Sequence, residues 1–125
     1  MNINKNLTAS QTFNLALKNH RENKTDIAQE LYNQVLKIDP NHSQALNSIA
    51  VIFINLKEYQ RAKDCFEKAI KINPTYADAH YNLGNMLRDL GELQRAKYCF
   101  EKTIEIDPNY VKAHNNLGVI FQELG

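Results

Sequence analysis

The chain's only prolines, Pro40, Pro74 and Pro108, stand at a constant interval of 34 residues. That interval restricts the fold more than any other feature. Each proline closes a similar phrase: Leu36-Lys37-Ile38-Asp39-Pro40, Ile70-Lys71-Ile72-Asn73-Pro74 and Ile104-Glu105-Ile106-Asp107-Pro108. A period of this size marks a stack of like units, each burying its apolar face against its neighbours. Aligned at 34, residues 43–76 and 77–110 share 15 identities, including Gln60-Arg61-Ala62-Lys63 over Gln94-Arg95-Ala96-Lys97 and Cys65-Phe66-Glu67-Lys68 over Cys99-Phe100-Glu101-Lys102. Residues 77–91 and 111–125 share 7 of 15. Residues 9–42 match 43–76 at only 5 positions, among them Ala16/Ala50, Ala28/Ala62, Ile38/Ile72 and Pro40/Pro74. The chain divides into a short cap (1–8), three full repeats (9–42, 43–76, 77–110) and the first helix of a fourth (111–125).

Within each unit the apolar spacing is helical. Ala79, Leu83, Met86, Leu87 and Leu90 recur at three- and four-residue steps, as do Leu93, Ala96, Phe100 and Thr103. Gly91 between them suits the left-handed position that ends a helix, and Pro108 stops the second helix by removing a backbone donor. Thr8-x-x-Gln11 has the form of a capping box, and Asn109 is the expected N-cap of the last helix. The spacing predicts helices over 9–22, 25–38, 43–56, 59–72, 77–90, 93–106 and 111–124. Small residues at Ala16, Ala50, Gly84 and Gly118 face Ala28, Ala62 and Ala96, with Tyr32, Phe66 and Phe100 as the large side chain of each core layer. This is an all-α fold.

Composition excludes several function classes. Lys plus Arg is 15 against 14 for Asp plus Glu, a net charge of +1. That gives no basic field for nucleic acid. The longest apolar run, Ile49 to Ile54, falls far short of the roughly 20 residues needed to span a bilayer. The first eight residues hold no apolar signal segment. Two cysteines, Cys65 and Cys99, are too few for a disulfide-stapled secreted domain. They replace Leu31 of the first repeat and read as small apolar fillers, so a reducing cytoplasmic setting is expected. His80 and His114 lie on equivalent helices, but no third ligand and no metal-binding spacing accompanies them. No nucleophile triad, P-loop or dinucleotide fingerprint occurs, and no cofactor or metal is expected.

The third repeat reads His80-x2-Leu83-Gly84-x2-Leu87, then Ala96-x3-Phe100, then Pro108. This resembles the tetratricopeptide repeat (TPR) family over residues 9–125. It departs at the opening aromatic, where His80 and His114 stand. Asn19 and Thr25 make the first repeat the loosest copy. The resemblance implies a right-handed α-solenoid of antiparallel helix pairs, with a groove lined by the first helix of each pair. It also implies a non-catalytic scaffold that holds an extended peptide or a partner's helix.

Asn14, Ser48, Asn82 and Asn116 occupy one column of the repeat. Stacking aligns them along the groove, where each amide offers an acceptor and two donors to a peptide backbone. The column resembles the asparagine ladder of the TPR superhelix in O-linked N-acetylglucosamine transferases, with Ser48 as its break. The chain holds 16 asparagines, so abundance alone accounts for part of the pattern. Beside it, Phe13, Leu17 and Val51 present apolar groups, while Tyr81, Asn85, Arg88 and Asn115 present polar ones. Together they suit a peptide with an apolar anchor. TPR domains that clamp a carboxylate want polar or basic groups where Phe13, Leu17 and Asp78 stand, so no such clamp is expected.

Leu117, Ile120, Phe121 and Leu124 leave the last helix apolar on several sides, which marks it as a self-association surface forming a homodimer or head-to-tail stack. Ion pairs are expected for Lys63 with Glu67 and Lys97 with Glu101. A longer natural chain is expected. One alternative is the substrate-selecting region of a glycosyltransferase or methyltransferase whose catalytic domain follows residue 125. An RNA-reading helical repeat is opposed by the 34-residue period and the near-zero net charge.

Overall fold

The computed structural model describes residues 7–125. They form seven helices: α1 (Ala9–Arg21), α2 (Thr25–Ile38), α3 (Ser43–Asn55), α4 (Tyr59–Ile72), α5 (Ala77–Asp89), α6 (Leu93–Ile106) and α7 (Val111–Leu124). No strand occurs among the described residues. Every expected helix is present, with ends within a residue of expectation. Most of the proposed cap, residues 1–6, lies outside the described residues.

The chain is an α-solenoid of helix pairs, α1/α2, α3/α4 and α5/α6, with α7 packed on α6. Its punctuation repeats with the sequence. At the first turn of each pair a residue takes the left-handed conformation: Asn23 (φ 61°), Lys57 (φ 61°) and Gly91 (φ 82°). Each turn closes with the same two bonds, such as Lys57 N–H to the Ile54 carbonyl (2.9 Å) and Glu58 N–H to the Phe53 carbonyl (2.8 Å). These satisfy carbonyls that the helix end leaves without a partner. At the second turn the residues before proline, Asp39, Asn73 and Asp107, adopt φ near −136°, −131° and −130°. Proline Cδ excludes the helical conformation from the residue before it. The Thr8/Gln11 capping box is formed, with Thr8 Oγ1 accepting from Gln11 N–H at 3.1 Å and Gln11 Oε1 accepting from Thr8 N–H at 2.9 Å. Asn109 is not the cap of α7. That place belongs to Tyr110, and Asn109 N–H donates instead to Asp107 Oδ1 (3.0 Å) in a turn.

Tyr32, Phe66 and Phe100 are wholly buried, as are Ala16, Ala50, Ala28, Ala62 and Ala96. Gly84 lies against Phe100 more closely than any side chain would allow. Burying one such aromatic contributes about 1.5–3 kcal/mol, so each layer depends on a close helix approach. The expected Lys63–Glu67 and Lys97–Glu101 pairs are absent. Arg61 pairs with Glu58 (3.3 Å), Arg95 with Glu92 (3.1 Å), and Lys97 lies 5.5 Å from the centre of the Phe121 ring. The arginines thereby satisfy the acids that begin α4 and α6. Cys65 and Cys99 are free thiols, the latter buried. The two histidines brace turns: His80 Nε2 lies 3.0 Å from the Pro74 carbonyl oxygen and His114 Nε2 lies 2.8 Å from that of Pro108. No metal-holding group of side chains occurs among the described residues.

Candidate functional site

Helices α1, α3, α5 and α7 form one layer, and the asparagine column lies along it. Asn82 Nδ2 on α5 donates to Asn47 Oδ1 on α3 (3.1 Å), and Asn47 Nδ2 donates onward to the Tyr76 hydroxyl (3.3 Å). One repeat later, Asn116 Nδ2 on α7 donates to Asn85 Oδ1 (2.7 Å) and to the Tyr81 hydroxyl (3.1 Å), both on α5. The two asparagines therefore bridge successive helices. An amide nitrogen carries two hydrogens. Both are used at Asn116, so only its Oδ1 is left for a ligand. That differs from the expected donor-and-acceptor pair. Asn85 Nδ2 and the hydroxyl hydrogens of Tyr76 and Tyr81 remain as donors on the same floor.

The column does not extend to the first repeat. Asn14 is exposed and makes no side-chain hydrogen bond among the described residues. Ser48 is half-buried on α3. Tyr32 stands where the later repeats have Phe66 and Phe100, and its buried hydroxyl requires partners. His20 supplies one, its Nδ1 lying 3.0 Å away. Burial raises the Tyr32 phenol above its usual range and lowers His20 below 6.5.

Phe13 is 8% exposed, its ring 6.0 Å from Tyr32 and 4.8 Å from His42. It fills the first junction and is not the exposed anchor that its place in the column implies. Leu17 and Val51 are half-buried against the core. Arg88 is half-buried and lies 3.7 Å from Asp89, and Asn115 is exposed on α7. On α7, Ile120 is wholly buried and cannot form a free apolar face. Leu117 is half-buried, while Phe121 and Leu124 are exposed along with Val111.

A second column, His42, Tyr76 and Tyr110, escapes a reading of helix interiors because it sits just before each first helix. His42 packs on Phe13, Tyr76 bonds Asn47, and Tyr110 packs on Tyr81 with centroids 5.0 Å apart. Each ring returns to the same place on the first helix of its own repeat. The signal was present in the sequence, as aromatic rings at the same 34-residue interval. The Tyr110 hydroxyl also donates to Asp78 Oδ1 at 2.7 Å. Burial, that hydrogen bond and the charge of Asp78 raise the Tyr110 phenol well above its usual range.

Tetratricopeptide repeat family models match residues 12–42, 43–76, 77–110 and 99–125. No curated protein matches. Among solved structures, the first TPR of Spaghetti (RPAP3) bound to the HSP90 peptide SRMEEVD is 26% identical, with a TM-score of 0.87 over 94% of this chain and 93% of that one. MamA is 26% identical, with a TM-score of 0.85 over 94% of this chain and 68% of that one. A Thermobaculum terrenum O-GlcNAc transferase is 27% identical, with a TM-score of 0.86 over 96% of this chain but only 23% of that one.

Proposed function

We propose that this chain, which belongs to the tetratricopeptide repeat family, is a non-catalytic protein-interaction scaffold that binds an extended peptide along its α1/α3/α5/α7 layer. We read it as the units 9–42, 43–76 and 77–110 with the first helix of a further unit at 111–125. The observation that carries the reading is the bridged floor, in which Asn82 and Asn116 are pinned across repeats with acceptor oxygens left over. Side chains held before a ligand arrives lose little rotamer freedom on binding, and that raises affinity. Asn85, Tyr81, Arg88 and Asn115 flank the floor, and Leu17 and Val51 offer half-exposed apolar contact. Phe13 supports this wall from beneath, and Asn14 and Ser48 stand in line with the floor on α1 and α3 without joining its bridges. The peptide in the RPAP3 complex supports a peptide as the class of ligand.

The test is peptide-array binding by the wild type and by the Asn82→Ala/Asn116→Ala double variant. Affinity should fall for the double variant. Unchanged affinity for every bound peptide refutes the ladder.

Two further readings rest on their own observations. Leu117, Phe121 and Leu124, with Val111 replacing the buried Ile120, form an apolar face on α7 suited to a second copy. A monomer by light scattering at high micromolar concentration defeats that reading. The likeness to under a quarter of an O-GlcNAc transferase supports a role in selecting substrate for an attached catalytic domain. An attached catalytic sequence in the gene tests it. The free thiols of Cys65 and Cys99 suit a reducing cytoplasmic compartment.

A further inference from the structure

The third repeat holds four basic and six acidic residues, a balance of −2. Three of its acids are neutralised within the repeat: Asp89 by Arg88 (3.7 Å), Glu92 by Arg95 (3.1 Å) and Glu105 by Lys102 (3.3 Å). Of the remaining acids, Asp78 accepts from the Tyr110 hydroxyl (2.7 Å) and Asp107 accepts the Tyr110 N–H at its carbonyl (3.1 Å). Neither forms an ion pair among the described residues, and Lys112, two residues beyond Tyr110, forms none either.

Asp78 is exposed at the start of α5. The Tyr110 hydroxyl holds its Oδ1 at 2.7 Å and leaves Oδ2 open. Beside it stand the half-buried rings of Tyr81 and Tyr110, 5.0 Å apart and inclined at 35°. A carboxylate fixed next to π-faces is the chemistry that recognises an ammonium or guanidinium group, by charge on one side and by ring quadrupole on the other.

We infer that the Asp78–Tyr110–Tyr81 corner is a subsite for a cationic side chain, a lysine or arginine of the bound peptide. It rests on the groove reading above and adds a sign to it. The floor should favour basic peptides over acidic ones such as the SRMEEVD held by the RPAP3 domain.

The experiment has two arms. In the first, N-acetyl-arginine methylamide and N-acetyl-glutamate methylamide are titrated separately into the isotope-labelled full chain, and backbone amide shifts are followed. The arginine probe should move the amides of Asp78, Tyr81 and Tyr110 in a saturable, salt-sensitive way, and the glutamate probe should not. The Asp78→Asn variant, folded by circular dichroism, should bind the arginine probe about two- to fivefold more weakly. Equal shifts from both probes, no shift from the arginine probe, or an unchanged Asp78→Asn titration overturns the inference. In the second arm, ten-residue peptides differing only in a central Arg, Ala or Glu are compared. If all three bind alike, the subsite is refuted and the groove stands. If none binds, the groove reading fails while the first arm still decides the subsite.

Discussion

A Cβ added to Gly84 would lie 2.8 Å from Cε1 of Phe100 and 3.1 Å from Cβ of Cys99. The corresponding glycine of the next unit, Gly118, has nothing within 4 Å. Gly84→Ala should therefore destabilise the fold by about 1–3 kcal/mol through overpacking. Gly118→Ala should leave it unchanged or stabilise it by up to about 1 kcal/mol, the helix-propensity difference. Urea unfolding of both variants checks the contrast. Equal effects would contradict the α5–α6 approach described here.

Lys57 holds a left-handed backbone, φ 61°, where the third repeat has Gly91. A side chain in that conformation costs about 1–2 kcal/mol. Lys57→Gly should relieve part of it and raise stability, whereas Gly91→Ala should lower it by a similar amount. Thermal unfolding midpoints moving in the opposite directions would refute the argument.

The His20–Tyr32 contact makes stability depend on pH. Burial depresses the folded-state pKa of His20 below 6.5, so the unfolded chain takes up a proton first as pH falls. The contribution of His20 is fully present above about pH 6.5 and is lost as pH falls through the lowered folded-state value. His20→Gln should flatten the stability profile between about pH 5 and 7 relative to the wild type. Identical profiles for the two proteins would show that His20 is not the group responsible.

Thiol chemistry should separate the two cysteines. Burial pushes the Cys99 thiol up to about 11, and Cys65, half-buried, is raised as well. Only the thiolate reacts. Iodoacetamide at pH 8 should label Cys65 first and reach Cys99 only as the chain unfolds. Peptide mass spectrometry reports which site is modified, and prior labelling at Cys99 would contradict its packing.

The helices were legible because a 34-residue period repeats both the apolar spacing and the turn residues. Gly91 announced its left-handed turn. Asn23 and Lys57 adopt the same turn without a glycine, because the closing hydrogen bonds and the packing on either side impose it. The column of Asn82 and Asn116 was legible as a column, but not its bonds, since the acceptors Asn47, Tyr81 and Asn85 lie on the preceding first helix. Phe13 and Ile120 are buried, against expectation, for one reason. Each occupies a position whose exposure is set by a residue of another element, His42 for Phe13 and the α6 surface for Ile120. The bond between Tyr110 and Asp78 is hidden in the sequence because 32 residues separate them.

The amide and phenol bridges that run from one first helix to the next join α3, α5 and α7. Among the described residues no side-chain hydrogen bond joins α2, α4 and α6 to one another. The first helices from α3 to α7 are thus riveted by directional bonds, and the second helices are not. Parting α3 from α5, or α5 from α7, must break these bonds. Small-angle scattering should show Asn82→Ala/Asn116→Ala as a looser, longer particle, and an unaltered radius of gyration would argue against it. The rivets then make the layer of first helices the stiffer of the two.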